Sequence, residues 1–328
     1  YTDGILGRLI DLLAVFALLA GTATTFSLAT PLMASVIGEL FHVELNRAVV
    51  TIIILVLTCV VYTYSLLHGF KGISFLAKSC IYLFFGLLAY VFLFGGETKY
   101  IIETGFSAIG RVAQNFFQLA TYTDPQRTTS FPQTWTIFYW AYWMVWCVAT
   151  PFFIGNISRG RTVRQTIFGG YLFGCGSTIV SFIILGNYSL GQQIAGVADY
   201  VAMYQKNGDL YSIIIAIIRT LPCAPLILAL LFITMVAFYA TSFDSIALIG
   251  ACYSYHKLGE NESPHKLIEL MWCVLLIALP IALVFSDSSM SNLQSVSIIA
   301  AFPIAAVIVL ITFSFLKDAK KYLLETEK

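Results

Sequence analysis

Residues 138–153 read FYWAYWMVWCVATPFF: no charge anywhere, two Tyr and three Trp packed into 138–146, and a Pro near the end. Extended to residues 134–155, the run is long enough to cross about 30 Å of hydrocarbon as a helix rising about 1.5 Å per residue. A segment of this kind has its backbone hydrogen bonds satisfied internally, which is what a bilayer demands. The first question is whether the rest of the chain agrees.

It does. Of the 328 residues, 59% are hydrophobic and only 11% charged, with a mean hydropathy of +0.86, too apolar for a shell facing water. About eight apolar runs reach spanning length, near 9–33, 48–68, 79–96, 134–155, 165–186, 224–252, 267–286 and 296–316. Two connections exceed turns. Residues 97–133 contain YIIETGFSAIGRVAQNFFQLA, whose apolar positions recur at helical spacing and predict an interfacial helix. Residues 187–223 read as a loop with one short helix before Pro222.

Alternating the loops assigns Arg8, Lys71, Lys78, Arg159, Arg161, Arg164, Lys257, Lys266, Lys317, Lys320, Lys321 and Lys328 to one side. The other receives only Arg47, Lys99, Arg111, Arg127, Lys206 and Arg219. Because positive charge is retained inside, both ends and the SRGRTVR loop of a multi-pass membrane protein are expected in the cytoplasm. The opening YTDGILGRLID carries neither an initiator Met nor a signal peptide, so a processed or truncated piece of a longer chain is expected.

Other functions are excluded by what the sequence lacks. The net charge of +1 and the absence of a basic tract argue against nucleic acid. Seven Cys show no paired CxxC spacing, and no two of the four His stand at i, i+4, so neither a disulfide framework nor a metal helix is predicted. GxSxG, Walker and GxGxxG signatures are missing, and an enzyme is not expected. No cofactor is implied.

Polar chemistry inside the membrane is of two kinds. On a helix, Tyr139, Tyr142, Trp143 and Trp146 fall within about a third of the circumference, with Trp140 to one side. An interfacial aromatic belt accounts for Trp135 and Tyr139. It does not account for Trp143 and Trp146, which lie about ten residues into the span. Two accounts remain open for these: core packing, or a box whose ring faces attract a quaternary ammonium with about 0.5–2 kcal/mol. Pro151 breaks the helix below the aromatics by clashing with the Cys147 carbonyl, and Phe153 follows it.

The second feature is FYATSFDSIALIG, residues 238–250. Phe238, Thr241, Ser242 and Ser245 share a face, where hydroxyl oxygens suit a hard ion such as sodium. Bonding back to the helix's own carbonyls is the competing account. Asp244 points elsewhere, and a carboxylate at this depth is expected to be paired or to face a cavity.

FPQTWTIFYWAYWMVW (131–146) followed by ISRGRTVR (157–164) resembles the signature segment of the betaine/choline/carnitine transporter family. TDGILGRLID, SLATPL, YTDP and SFLKDAKK resemble its carnitine/butyrobetaine branch, and the likeness runs through nearly the whole chain. The resemblance implies an all-helical, leucine-transporter-like fold of two inverted five-helix repeats, usually trimeric, of which this chain lacks the first four of twelve spans. Residues 1–96 would hold the last three helices of the first repeat, 97–133 the extracellular loop, 134–318 the second repeat and 319–328 the cytoplasmic tail.

The resemblance also implies roles. Trp143 matches the Trp closing the box around the ammonium, and Tyr142 and Trp146 match its neighbours, Tyr142 standing where relatives commonly have Trp. Phe238, Thr241 and Ser242 match half of a sodium site, with Thr22 and Thr25 weaker candidates for a second. Sodium-independent exchangers carry a Met and an Arg where this chain has Thr150 and no Lys or Arg between Arg8 and Arg47. Sodium-coupled uptake of a carnitine-, betaine- or choline-like substrate is therefore expected, with sodium-independent exchange as the alternative. A channel or sensor using an aromatic cage is the reading from another class. It lacks an open polar lane or a soluble output domain to support it.

Overall fold

Within the described residues the apolar runs are largely helical, with 134–155 divided between a π-helical turn and two helices. The computed structural model describes residues 4–43, 46–67, 70–147, 150–255, 258, 262–285 and 290–326, and among these helices and turns are the only regular structure. The helices are α1 (Ile5–Phe41), α2 (Arg47–Leu67), α3 (Phe70–Phe94), α4 (Thr98–Gln114), α5 (Phe116–Thr121), α6 (Phe138–Trp146) and α7 (Thr150–Ile157). They continue as α8 (Val163–Gly169), α9 (Gly176–Ser181), α10 (Asn187–Ile194), α11 (Tyr200–Asn207), α12 (Leu210–Arg219), α13 (Ala224–Tyr253), α14 (Lys266–Phe285) and α15 (Met290–Thr326). Wider π-helical turns at Gly170–Cys175 and Phe182–Gly186 join α8, α9 and α10 into one rod, and a third at Pro132–Ile137 leads into α6.

Among the described residues, five stretches are long and apolar enough to cross a membrane: Ile5–Phe41, Phe75–Phe94, Val163–Ile194, Ala224–Tyr253 and Gln294–Glu325. Pro31, Pro280 and Pro303 sit inside long helices, which neighbouring helices tolerate in a membrane. The chain divides into two compact units, each described by itself.

The first unit comprises Tyr1–Leu28, Tyr122–Ile157 and Ser245–Lys328. Its core is built mostly from alanine: Ala17 and Ala20 of α1, Ala141 of α6, and Ala300 and Ala301 of α15, with Val145 and Ile304 among them. Small side chains let helix backbones approach where no water drives association. Polar clips add register. Thr24 and Ser297 hydroxyls lie 2.8 Å apart, and Trp272 Nε1 donates to Ser254 Oγ at 2.7 Å.

The second unit comprises Ala29–Thr121 and Ser158–Asp244. Leu87, Val91, Ile101, Tyr188, Leu221 and Ile227 form its larger core, and Val36, Ile215 and Leu228 a smaller one. A cavity of about 530 Å³ opens beside them, lined almost wholly by aliphatic side chains of α1, α3, α12 and α13 and by residues 181–188. The SRGRT loop ends in a capping box, Thr162 Oγ1 accepting from Gln165 N and Gln165 Oε1 from Thr162 N.

The amphipathic segment in 97–133 is α4 and α5, with Ile101 turned inward and Phe106, Phe116 and Phe117 exposed. In residues 187–223 the short helix expected before Pro222 is α12, and the loop expected ahead of it is largely helical. The spanning rod continues to Ile194, and two more helices follow, each with an Asp N-cap: Asp199 accepts from Ala202 N and Asp209 from Tyr211 N. Gly208, at φ 62°, ends α11 in the left-handed conformation that glycine adopts without strain. Polar composition suggested a loop; caps and a C-terminal Gly made it helix.

Candidate functional site: an aromatic face on α6

The approach to α6 is tied down by one carboxylate. Asp124, 2% exposed and at φ 47°, accepts from Thr129 N at 2.8 Å, Thr128 Oγ1 at 3.0 Å and Tyr122 OH at 3.3 Å. These donors, the Thr129 amide first, hold its carboxyl below the ordinary value near 3.8. Gln133 Nε2 then donates to Thr123 O at 2.7 Å, so the loop and the first turn of the following helix share bonds. Sequence reading used YTDP only as a mark of resemblance. Its signal was an Asx residue followed by Pro and two Thr, the composition of a side-chain-bonded turn.

From that start α6 turns Phe138, Ala141 and Val145 inward, at i, i+3 and i+7. The opposite side carries the rings. Trp143 is 63% exposed and Trp140 53%, Tyr139 is exposed, and Tyr142 and Trp146 are half-buried. Tyr142 is the hub: its ring lies edge-on to Trp143 at 5.9 Å and to Trp146 at 6.2 Å, and 5.5 Å from Phe138. Trp135 and Tyr139 stack at 6.1 Å, and Tyr139 reaches the hub through Phe138, edge-on at 5.5 Å.

α1 backs the cluster at a glycine. A Cβ on Gly21 would stand 3.0 Å from Val145 Cγ1 and 3.2 Å from Trp146 Cε2, so the indole rests on bare backbone. One turn on, Thr25 Oγ1 lies 2.6 Å from the Tyr142 hydroxyl and 2.7 Å from Gly21 O. This link was missed in the sequence because α1 and α6 are separated by more than a hundred residues. Thr22, 1% exposed, donates to Leu18 O at 2.7 Å.

Below the cluster, Cys147 N bonds to Met144 O at 3.1 Å, a tightened last turn, and α7 resumes at Thr150 with Pro151 second. Thr150 Oγ1 donates to Trp146 O at 2.7 Å. The side chains of Phe153 and Asp244 lie outside the described residues.

On α13, Thr241 Oγ1 donates to Ala237 O and lies 3.8 Å from Cys80 Sγ. The Phe238 ring meets Phe84 edge-on at 5.7 Å, and Ser242 and Ser245 are partly buried on the same helix. The back-bonding weighed from sequence is therefore present at Thr22, Thr25 and Thr241. It spends each hydroxyl's proton and leaves lone pairs, which are what a cation uses.

An all-helical, multi-pass membrane protein with an exposed aromatic face defines the class. The family model for BCCT, betaine/carnitine/choline family transporter, matches residues 1–323, and the chain belongs to that family. Among curated proteins it is 26% identical over 317 residues to a carnitine transporter of Acinetobacter baumannii, covering 96% of this chain and 57% of that protein. It is 29% identical over 326 residues to the betaine/ectoine transporter LcoP of Corynebacterium glutamicum, covering 97% of this chain and 50% of that one. An uncharacterized transporter of Escherichia coli, YeaV, is 26% identical over 318 residues, covering 96% and 65%. The chain thus spans about half to two-thirds of the length of these relatives.

Proposed function

We propose that the protein is a secondary transporter of a quaternary ammonium compound, carnitine, glycine betaine or choline, moved inward with sodium by alternating access. The observation that carries this reading is the ring cluster of Tyr142, Trp143 and Trp146 on a face of α6 that the first unit's core leaves open. A trimethylammonium group offers no hydrogen-bond donor, so ring faces are the groups that select it. Trp143 is its principal contact, with Tyr142 and Trp146 beside it and Trp140, Tyr139 and Phe153 along the path. The carnitine and betaine/ectoine transporters to which the chain is similar support this class of substrate.

Sodium is assigned to Thr241, Ser242, Phe238 and Ser245, with Thr22 and Thr25 at a second position. Thr150, and an α1 without Lys or Arg beyond Arg8, support the ion. Sodium-independent exchange is favoured by one observation, the motifs resembling the carnitine/butyrobetaine branch. The working form is a trimer in the bacterial inner membrane with a cytoplasmic C-terminus, built on inverted repeats divided at residues 97–133. Uptake of radiolabelled choline, glycine betaine and carnitine by the full-length protein in liposomes, in sodium and in potassium, tests all of this. Equal uptake in both salts replaces symport by exchange, and no uptake of any of the three removes the reading.

A further inference from the structure

Proton counting around Thr25 gives the direction of a bond that distance alone leaves open. A threonine hydroxyl has one proton, and that of Thr25 is directed to Gly21 O at 2.7 Å. In its 2.6 Å contact with Tyr142, Thr25 is therefore the acceptor and Tyr142 the donor. The phenol is pinned at its tip by α1, and its ring is the one that touches Phe138, Trp143 and Trp146. The Gly21 carbonyl receiving the Thr25 proton belongs to the residue on which Trp146 rests.

We infer that Tyr142 is the positioning residue of the aromatic site: its hydroxyl, held by the relay Tyr142–Thr25–Gly21, fixes the ring against which both indoles are set. The proposal rests on the transport reading for its effect on substrate, and on geometry alone for the relay. A Trp at this position would have an N–H but no oxygen, and a Phe neither donor nor acceptor. The relay needs a donor at the tip of this ring, which Phe lacks and which Tyr142 supplies through its hydroxyl. Thr25 keeps one lone pair, so a cation on that oxygen would draw on the same atom that holds Tyr142. Ion and substrate then meet at one hydroxyl pair.

The test is a double-mutant cycle on the full-length protein in lipid nanodiscs: Tyr142→Phe, Thr25→Val, the pair, and Thr25→Ser as the rescue. Choline, glycine betaine and carnitine are titrated by tryptophan fluorescence at several sodium concentrations. Each single variant is expected to weaken binding about two- to ten-fold, the pair no more than either alone, and Thr25→Ser to stay near wild type. Additive effects, or a silent Tyr142→Phe beside a Thr25→Val that loses only its sodium dependence, would overturn the relay and leave Thr25 an ion ligand. A second reading needs no ligand. The tryptophan emission and near-UV circular dichroism of the free protein should change in the same way in Tyr142→Phe and Thr25→Val, and not in Thr25→Ser. If wild type binds none of the three compounds yet these spectra move together, the transport reading fails and the relay stands. If the spectra stay unchanged, the relay fails whatever binds.

Discussion

Replacing Trp143 with Leu separates a binding surface from a packed core. The indole is 63% exposed, so about a third of the 150–250 Å² a Trp can bury is covered. With no water driving association between these helices, that cover counts as dispersion contact of about 0.1–0.2 kcal/mol per atom pair, and Leu restores part of it, so the stability loss should stay below about 1 kcal/mol. Phe138, 4% exposed on the opposite side of the same helix, sets the scale for a core position: its replacement by Ala should cost about 3–5 kcal/mol. Removing the ring face instead forfeits about 0.5–2 kcal/mol of cation–π attraction, a two- to thirty-fold loss of affinity. Thermal unfolding and equilibrium binding of choline and glycine betaine, measured on the same nanodisc samples, give both numbers. A variant that unfolds like Phe138→Ala while binding like wild type would show that Trp143 is packing and refute the assignment.

Thr241→Ala with Ser242→Ala removes two oxygens from a hard ion, so sodium should lose its power to tighten substrate binding while sodium-free affinity holds; flux and binding across a sodium series read this. Gly21→Ala sets about 1 kcal/mol of helix propensity against about 1–3 kcal/mol of overpacking on Trp146, and a lowered melting temperature with a shifted tryptophan emission is expected. Neutralising Arg159, Arg161 and Arg164 together should leave transport kinetics intact if the loop only marks the cytoplasmic side; a slowed cycle would give it a bracing role. Because the Asp124 carboxyl titrates below its ordinary value, its support is complete above about pH 3.8 and is lost as the pH falls through the lowered folded value. Hydrogen exchange in residues 122–130 should accelerate only in that range, and Asp124→Asn should remove the dependence.

What the sequence yielded and what it withheld divide along physical lines. Spans were legible because a bilayer favours long helices with few charges: residues 296–316 carry none and residues 9–33 only Asp11 near one end. The ring-bearing face of α6 was legible because 3.6-residue periodicity is local, although its inward face of Phe138, Ala141 and Val145 is known only from what packs on it. The helix before Pro222 was legible, but the stretch ahead of it was misread because α11 rests on single caps, Asp199 and Gly208, each worth about 1 kcal/mol and each equally at home in a turn. The Tyr142–Thr25 bond was beyond reach for another reason: it joins two helices whose rotation about their own axes is fixed by Gly21, and no pattern within either helix encodes that rotation. A hydroxyl on the aromatic hub and a hydroxyl one turn past a glycine acquire meaning only as a pair. Their joint removal, with no more effect than either alone, is the observation that would show the pair acting as one group.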